Sequence, residues 1–231
     1  MNSHTAARPS RWPWFAVFGA LLVLIFLPQP ALDLSISGWF YRADHGFWLR
    51  DTGLMVAVYR GTHWFSIAVI VGLLLTLAYS ALKTGSDAQA LKRRLGWTLL
   101  ALIIGPGLVV HTVFKDQWGR PRPSQIAEFG GAGHYVRPGV LSTQCPKNCS
   151  FVSGHAASGY FLIAGGLLWP ARRKRWTIAG IVLGSAIGAV RIIQGGHFFS
   201  DVVGSLVVVW TTVLIVEFWA QSGQRRSAAK A

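Results

Sequence analysis

Charge is scarce in this chain. Asp, Glu, Lys and Arg make up only 13% of its 231 residues, against roughly a quarter in an ordinary soluble domain. With 52% hydrophobic residues and a mean hydropathy of +0.42, that shortage argues against a water-soluble globule. Acid is scarcer still: 8 carboxylates stand against 22 Lys and Arg, a formal charge of +14 and a pI of about 10.9. Nucleic-acid binders set their basic residues on a polar folded surface, whereas here they fall between long apolar runs. The expected partner is therefore a lipid bilayer and not nucleic acid. Cysteine is nearly absent, and two thiols are too few for a closed zinc site without further ligands. No low-complexity tract, internal repeat or separate soluble domain interrupts the chain, so residues 1–231 read as one integral-membrane domain.

What the chain does have is apolar length. A helix needs about 20 predominantly apolar residues to cross roughly 30 Å of hydrocarbon. Six segments approach that: Trp12 to Pro28, His63 to Leu82, Trp97 to Phe114, His155 to Pro170, Trp176 to Gln194 and Val202 to Ala220. The expected fold is an all-α polytopic bundle of six transmembrane helices. Trp12, Trp14, Trp64, Trp97, Trp169, Trp176 and Trp219 stand at span ends, where amphipathic rings favour the interface. Trp12 to Pro28 also follows two Arg in the manner of a signal peptide. The Gln29-Pro30-Ala31-Leu32 stretch after it lacks a clean small-x-small cleavage site, which favours a span.

Lys and Arg accumulate on the cytoplasmic side of membrane proteins. With both termini inside, residues 1–11 and 222–231 are cytoplasmic tails. Thirteen Lys and Arg then lie inside and nine outside, and six of the eight acids share the outer side. The longest outer connections, 29 to 62 and 115 to 154, are where chemistry is expected. In the first, Trp39, Phe40, Tyr41, Phe47 and Trp48 suit a headgroup-layer anchor or a lipid contact.

The second connection opens with Lys115-Asp116-Gln117-Trp118-Gly119-Arg120-Pro121-Arg122-Pro123. Its prolines stiffen an extended segment that carries cations matched to phosphate oxygens. It closes with Ser153-Gly154-His155, in which Ser153 is a natural N-cap and Gly154 admits close backbone approach. A third element runs from Arg191 through His197 to Asp201, with His197 and Asp201 four apart and able to share a helical face. A carboxylate beside an imidazole fixes its tautomer. Together the three elements put Lys, Arg, two His and an Asp at one membrane face, the parts that phosphoryl transfer requires.

Lys115, six residues, Arg122-Pro123; Ser153-Gly154-His155; and Arg191, five residues, His197, three residues, Asp201: this three-part pattern resembles the signature of the type 2 phosphatidic-acid phosphatase superfamily. Val152 stands where the second motif often has Pro, and Val190 where the third often has Ser. The resemblance implies a metal-independent, cofactor-free lipid phosphate phosphatase. His197 would attack phosphorus, Asp201 would hold its far ring nitrogen, and His155 would protonate the leaving oxygen and then activate water. Lys115, Arg122, Arg191, Ser153 and the Gly154 N–H would hold the phosphoryl oxygens. The Lys-Asp-x-x-Gly-Arg-Pro-Arg-Pro and Cys-x-x-x-Cys-Ser-Phe-x-Ser-Gly-His runs are most similar to bacterial lipid A phosphatase-like members. That implies a bacterial inner-membrane location, a site facing the periplasm, and a lipid A-type or undecaprenyl diphosphate-type substrate. Transfer of the phosphoryl group to another lipid stays open as a variant. A non-catalytic anion transporter is disfavoured because the span interiors contain almost no ionisable residues.

Cys145 and Cys149 face an oxidising compartment in this topology, so a small disulfide loop before Ser153 is expected. His111, one helical turn before Lys115, could face the site but is read first as a packing or interfacial residue, and His45, His63 and His134 are read as surface residues. Gly184 and Gly188 suggest close helix packing, and Glu217 is expected to reach the inner interface.

Overall fold

The computed structural model describes residues 30–228, with side chains over 31–223, and the isolated Gly19. The expected first span, Trp12 to Pro28, lies outside the described residues but for that glycine. Every regular element among the described residues is helical. Four helices are long and apolar enough to cross a membrane: Gly53–Ala81, Ser86–Gln117, Pro170–Ile193 and Phe199–Gly223.

α1 (Pro30–Gly38) opens on Pro30, whose fixed φ suits a first helical turn. α2 (Gly53–Ala81) starts ten residues before the expected His63. Arg60 and His63 interrupt the hydropathy there, but neither breaks a helix, so part of the first outer connection is helical. α3 (Ser86–Gln117) is α-helical to Leu102, widens into i→i+5 turns over Ile103–Phe114, and closes on an α-turn at Lys115–Gln117. Pro106 lies inside the widened stretch; it lacks an N–H and crowds the preceding turn, and wider turns relieve both. The widened segment delivers Lys115 to the helix end.

The expected fourth span is not one long helix. α4 (Gly154–Tyr160) passes through a 3-10 turn at Phe161–Ala164 into α5 (Gly165–Leu168), and the run stops at Trp169 before Pro170. Pro170 disfavours helix for the residue before it. This short run is the middle of the bundle, with Ala156, Ala157, Tyr160 and Ala164 buried among Leu95, Val110, Ile192, Val209 and Val213. α6 (Arg173–Ile193) and α7 (Phe199–Ala228) complete the fold.

Gly184 permits α4 and α6 to meet: a Cβ there would fall on the Tyr160 ring, and one on Gly159 would lie 2.7 Å from the Gly184 α-carbon. The Tyr160 hydroxyl closes this contact on Ser185 Oγ at 3.1 Å. A second, smaller core of Phe47, Ile126, Phe129 and Phe198 forms a cap over the helix ends that carry the candidate site. The aromatic loop thus divides its labour: Phe47 is buried in the cap, while Trp39 and Trp48 are exposed. Glu217 pairs with Arg173, and His45, His63 and His134 are exposed.

Candidate active site

The end of α3, the start of α4 and the loop between α6 and α7 meet beneath the cap. Ser153 caps α4 by accepting the Ala156 N–H, and its own N–H donates to the Asp201 carbonyl at 3.1 Å, which ties α4 to α7. A Cβ on Gly154 would lie 2.9 Å from Lys115 Cε and 3.2 Å from His111 Cε1. The bare α-carbon gives Lys115 room to cross this point, and His111 stands beside it over the helix start.

His197 is 1% exposed. Its Nδ1 lies 2.7 Å from the Ser150 carbonyl oxygen and 3.7 Å from Asp201 Oδ2. A carbonyl can only accept, so Nδ1 carries the proton and donates to it, which leaves the Nε2 lone pair free. Here the structure differs from the sequence expectation, since Asp201 is not the hydrogen-bond partner of the far ring nitrogen. Its oxygens are taken by Arg120, by Ser150 Oγ at 2.5 Å and by the Phe198 N–H at 2.8 Å. Asp201 acts on the imidazole by charge and through Ser150. Burial pushes the His197 imidazole down to about 3, and Lys115 and Arg191 add to this against the pull of Asp201. The ring is therefore neutral at physiological pH.

The cations converge on the same place. Lys115, 7% exposed, and Arg122, half-buried, both donate to Asn148. Arg191, also 7% exposed, donates through Nη1 to Gln194 Oε1 at 2.5 Å, and its buried Nε has no partner among the described residues. Among the described residues none of the three donates to a carboxylate, which leaves their remaining N–H groups for a phosphate. His155 stacks on Tyr59 with ring centroids 4.6 Å apart, and the Arg191 guanidinium lies over the Tyr59 ring, 4.8 Å from its centroid. Cys145 and Cys149 are joined by a disulfide. Among the described residues no three of His, Cys, Asp and Glu are grouped to hold a metal ion.

Sequence reasoning missed Arg120, Asp33, Tyr59, Arg50 and Asn148. Arg120 has no exposed surface and pairs with both Asp33 of α1 and Asp201; it also donates to Ser200 Oγ at 2.9 Å and to the Val136 carbonyl at 2.8 Å. Burial works against its charge, but Asp201 and Asp33 outweigh it. Asp33 in turn accepts the Ser200 N–H and the Tyr135 hydroxyl. The one available signal was Asp33 itself, an acid in an apolar helix that needs a partner. Tyr59 and Arg50 come from the first outer connection; Arg50 Nε donates to the Gln194 carbonyl at 2.9 Å. They bring that segment to the site as a contact and not only as a surface anchor.

Residues 95–225 match the PAP2 superfamily. The chain is 39% identical over 204 residues to the lipid A 4'-phosphatase of Francisella tularensis subsp. novicida, an alignment covering 84% of this chain and 88% of that protein. It is 33% identical over 238 residues to the lipid A 4'-phosphatase of Rhizobium etli, covering 94% and 88%. Against phosphatidylglycerophosphatase B of Escherichia coli it is 24% identical over 236 residues, covering 88% and 87%. A family match spanning more than half the chain, with relatives above 30% identity along most of its length, establishes that the chain belongs to the PAP2 superfamily.

Proposed function

We propose that this protein is a membrane lipid phosphatase that removes phosphate from a lipid A-type substrate through a phosphohistidine at His197. One observation carries the reading: a buried, neutral imidazole with Nδ1 committed to the Ser150 carbonyl and Nε2 free, set among three cations that donate to no carboxylate among the described residues. Nε2 attacks phosphorus and the bond to the lipid oxygen breaks. With the negative charge of the phosphate offsetting burial and the cations around it, His155 takes up a proton as substrate binds and gives it to that oxygen, then takes one from the water that cleaves the P–N bond and releases inorganic phosphate. Lys115, Arg122 and Arg191 hold the equatorial oxygens, with Ser153 and the Gly154 N–H at the start of α4. Charge is balanced by cations already in place, and the step calls for no metal.

The identity to two lipid A 4'-phosphatases supports the substrate class, while undecaprenyl diphosphate is the next candidate. We place the site at the periplasmic face of a bacterial inner membrane, in one six-span domain over residues 1–231. Charge supports this orientation: Lys83, Lys92, Arg93, Arg94, Arg172, Arg173, Lys174 and Arg175 lie at the opposite helix ends. Of the nine Lys and Arg counted outside, Lys115, Arg120, Arg122 and Arg191 are built into the site, which sharpens the inside excess.

Phosphate release by the detergent-solubilised protein from lipid A and from undecaprenyl diphosphate tests the reading. We expect release from lipid A, with lipid A phosphate species accumulating in cells that lack the gene. A protein that binds these lipids and releases no phosphate is not an enzyme of this kind, and one that moves the phosphate to a second lipid is a transferase.

A further inference from the structure

We propose that the loop closed by Cys145 and Cys149 is a positioning device for the phosphate-binding cations, and that Asn148 is its working residue. This rests on the assignment of Lys115 and Arg122 to phosphate made above. Asn148 holds both. Its Oδ1 accepts from Lys115 Nζ at 2.8 Å, and its backbone carbonyl accepts from Arg122 Nη2 at 2.7 Å.

Both acceptors are neutral. They fix the direction of two long, flexible side chains without cancelling the charge that must meet the phosphate, and each cation keeps further N–H groups for phosphoryl oxygens. A carboxylate in the same place would orient them equally well and neutralise them. Ordering these side chains before the substrate arrives removes an entropic cost from binding.

The loop is fastened so that Asn148 can do this. The Cys145–Cys149 bond closes it. The Cys149 N–H donates to the Lys115 carbonyl and the Ser150 N–H to the Arg120 carbonyl, both at 2.9 Å, so the loop is sewn to the segment that carries the cations. The next carbonyl, that of Ser150, takes the His197 Nδ1 proton. One short stretch therefore sets two cations and the nucleophile relative to one another. Asn148 has φ +53°, a left-handed conformation that Asn tolerates better than most residues.

That φ also selects the test. Asn148→Gly accepts the conformation without strain and removes only the side-chain acceptor. Asn148→Asp keeps the shape and adds a negative charge. Binding of inorganic phosphate to the full-length, detergent-solubilised protein is measured by calorimetry, with thermal midpoints recorded alongside. We expect Asn148→Gly to weaken phosphate binding about tenfold and Asn148→Asp by at least about tenfold more. Reduction of the wild-type disulfide should weaken binding about as much as Asn148→Gly does, and should add little in that variant. Midpoints should stay close to wild type in both variants.

Affinities within twofold of wild type in both variants overturn the proposal, as does reduction without effect. A smaller folded fraction whose remaining molecules bind phosphate normally makes the loop merely structural and overturns it too. Calorimetry needs no turnover, so a wild-type protein that binds phosphate yet releases none from lipid counts against the activity alone. The graded loss in the variants still decides the role of Asn148.

Discussion

In the most apolar window of α2 only 11% of residues are buried, and Ile70, Val71, Leu74 and Leu75 are exposed. Some distance away, Arg120 has no exposed surface and lies against two carboxylates, also buried. In a soluble protein the two patterns would be inverted: leucines inside, an arginine outside. Lipid removes the reason for hiding apolar side chains, since hydrocarbon surrounds them in any case. It gives no hydrogen bonds to a charge, so ionisable groups gather where the protein itself can pair them. The helix with the most burial among the four, Phe199–Gly223 at 44% of its window, is the one that carries Asp201. The buried acid thus sits on the helix that its neighbours enclose most.

The sharpest test of that contrast lies in the densest region. His197→Ala should stay folded, by thermal midpoint in detergent, and lose phosphate release by at least about a thousandfold; near-normal turnover by the purified variant removes His197 as nucleophile. His155→Ala should be inactive as well. Arg120→Ala comes next, because it strands Asp33 and Asp201 as unpaired buried charges at a cost of about 3–5 kcal/mol. Equilibrium unfolding would show it, and an unchanged midpoint would mean that the two acids find other partners.

The His197 imidazole gives a smaller, pH-dependent effect. Folded, it takes a proton only near pH 3, while unfolded it does so near its ordinary 6.5. The unfolded chain then binds more protons between these values, so stability falls as pH is lowered through that window and is fully present above it. The thermal midpoint should drop from pH 7 to pH 4, and His197→Asn should flatten the slope. On α2, Leu75→Ala should change stability by less than about 0.5 kcal/mol; a loss of several kcal/mol would mean that this face is covered by protein. The smallest effect is none at all: EDTA should leave phosphate release unchanged. Loss of activity that Mg²⁺ restores would end the covalent histidine mechanism.

The helical membrane architecture and the residues of the three motifs were legible because both are local or nearly local. An apolar run long enough to span is visible as a run, and Ser153-Gly154-His155 is contiguous. Arg120 was not legible, although it lies two residues before Arg122, because its partners are 81 and 87 positions away and no spacing rule connects them. The spacing places Asp201 beside His197, at 3.7 Å from Nδ1, but it does not reveal the carbonyl that lies nearer. A spacing of four suggests a direct bond to His197, but a backbone carbonyl, which every residue has, took the position at Nδ1. The broken run from Gly154 to Leu168 was read as one span because apolar composition does not distinguish a helix facing lipid from one enclosed by other helices.

Composition and pattern alone determined that this is a membrane protein built from helices, and marked Lys115, Arg122, His155, Arg191, His197 and Asp201 as candidates for one chemistry. Those properties follow from which side chains exist and how closely they succeed one another. The tertiary structure decided the tautomer of His197, the pairing of Arg120 and the hold of Asn148 on two cations. Each depends on a hydrogen bond between groups far apart in the chain, and its direction is fixed only when the backbone brings donor and acceptor within 3 Å.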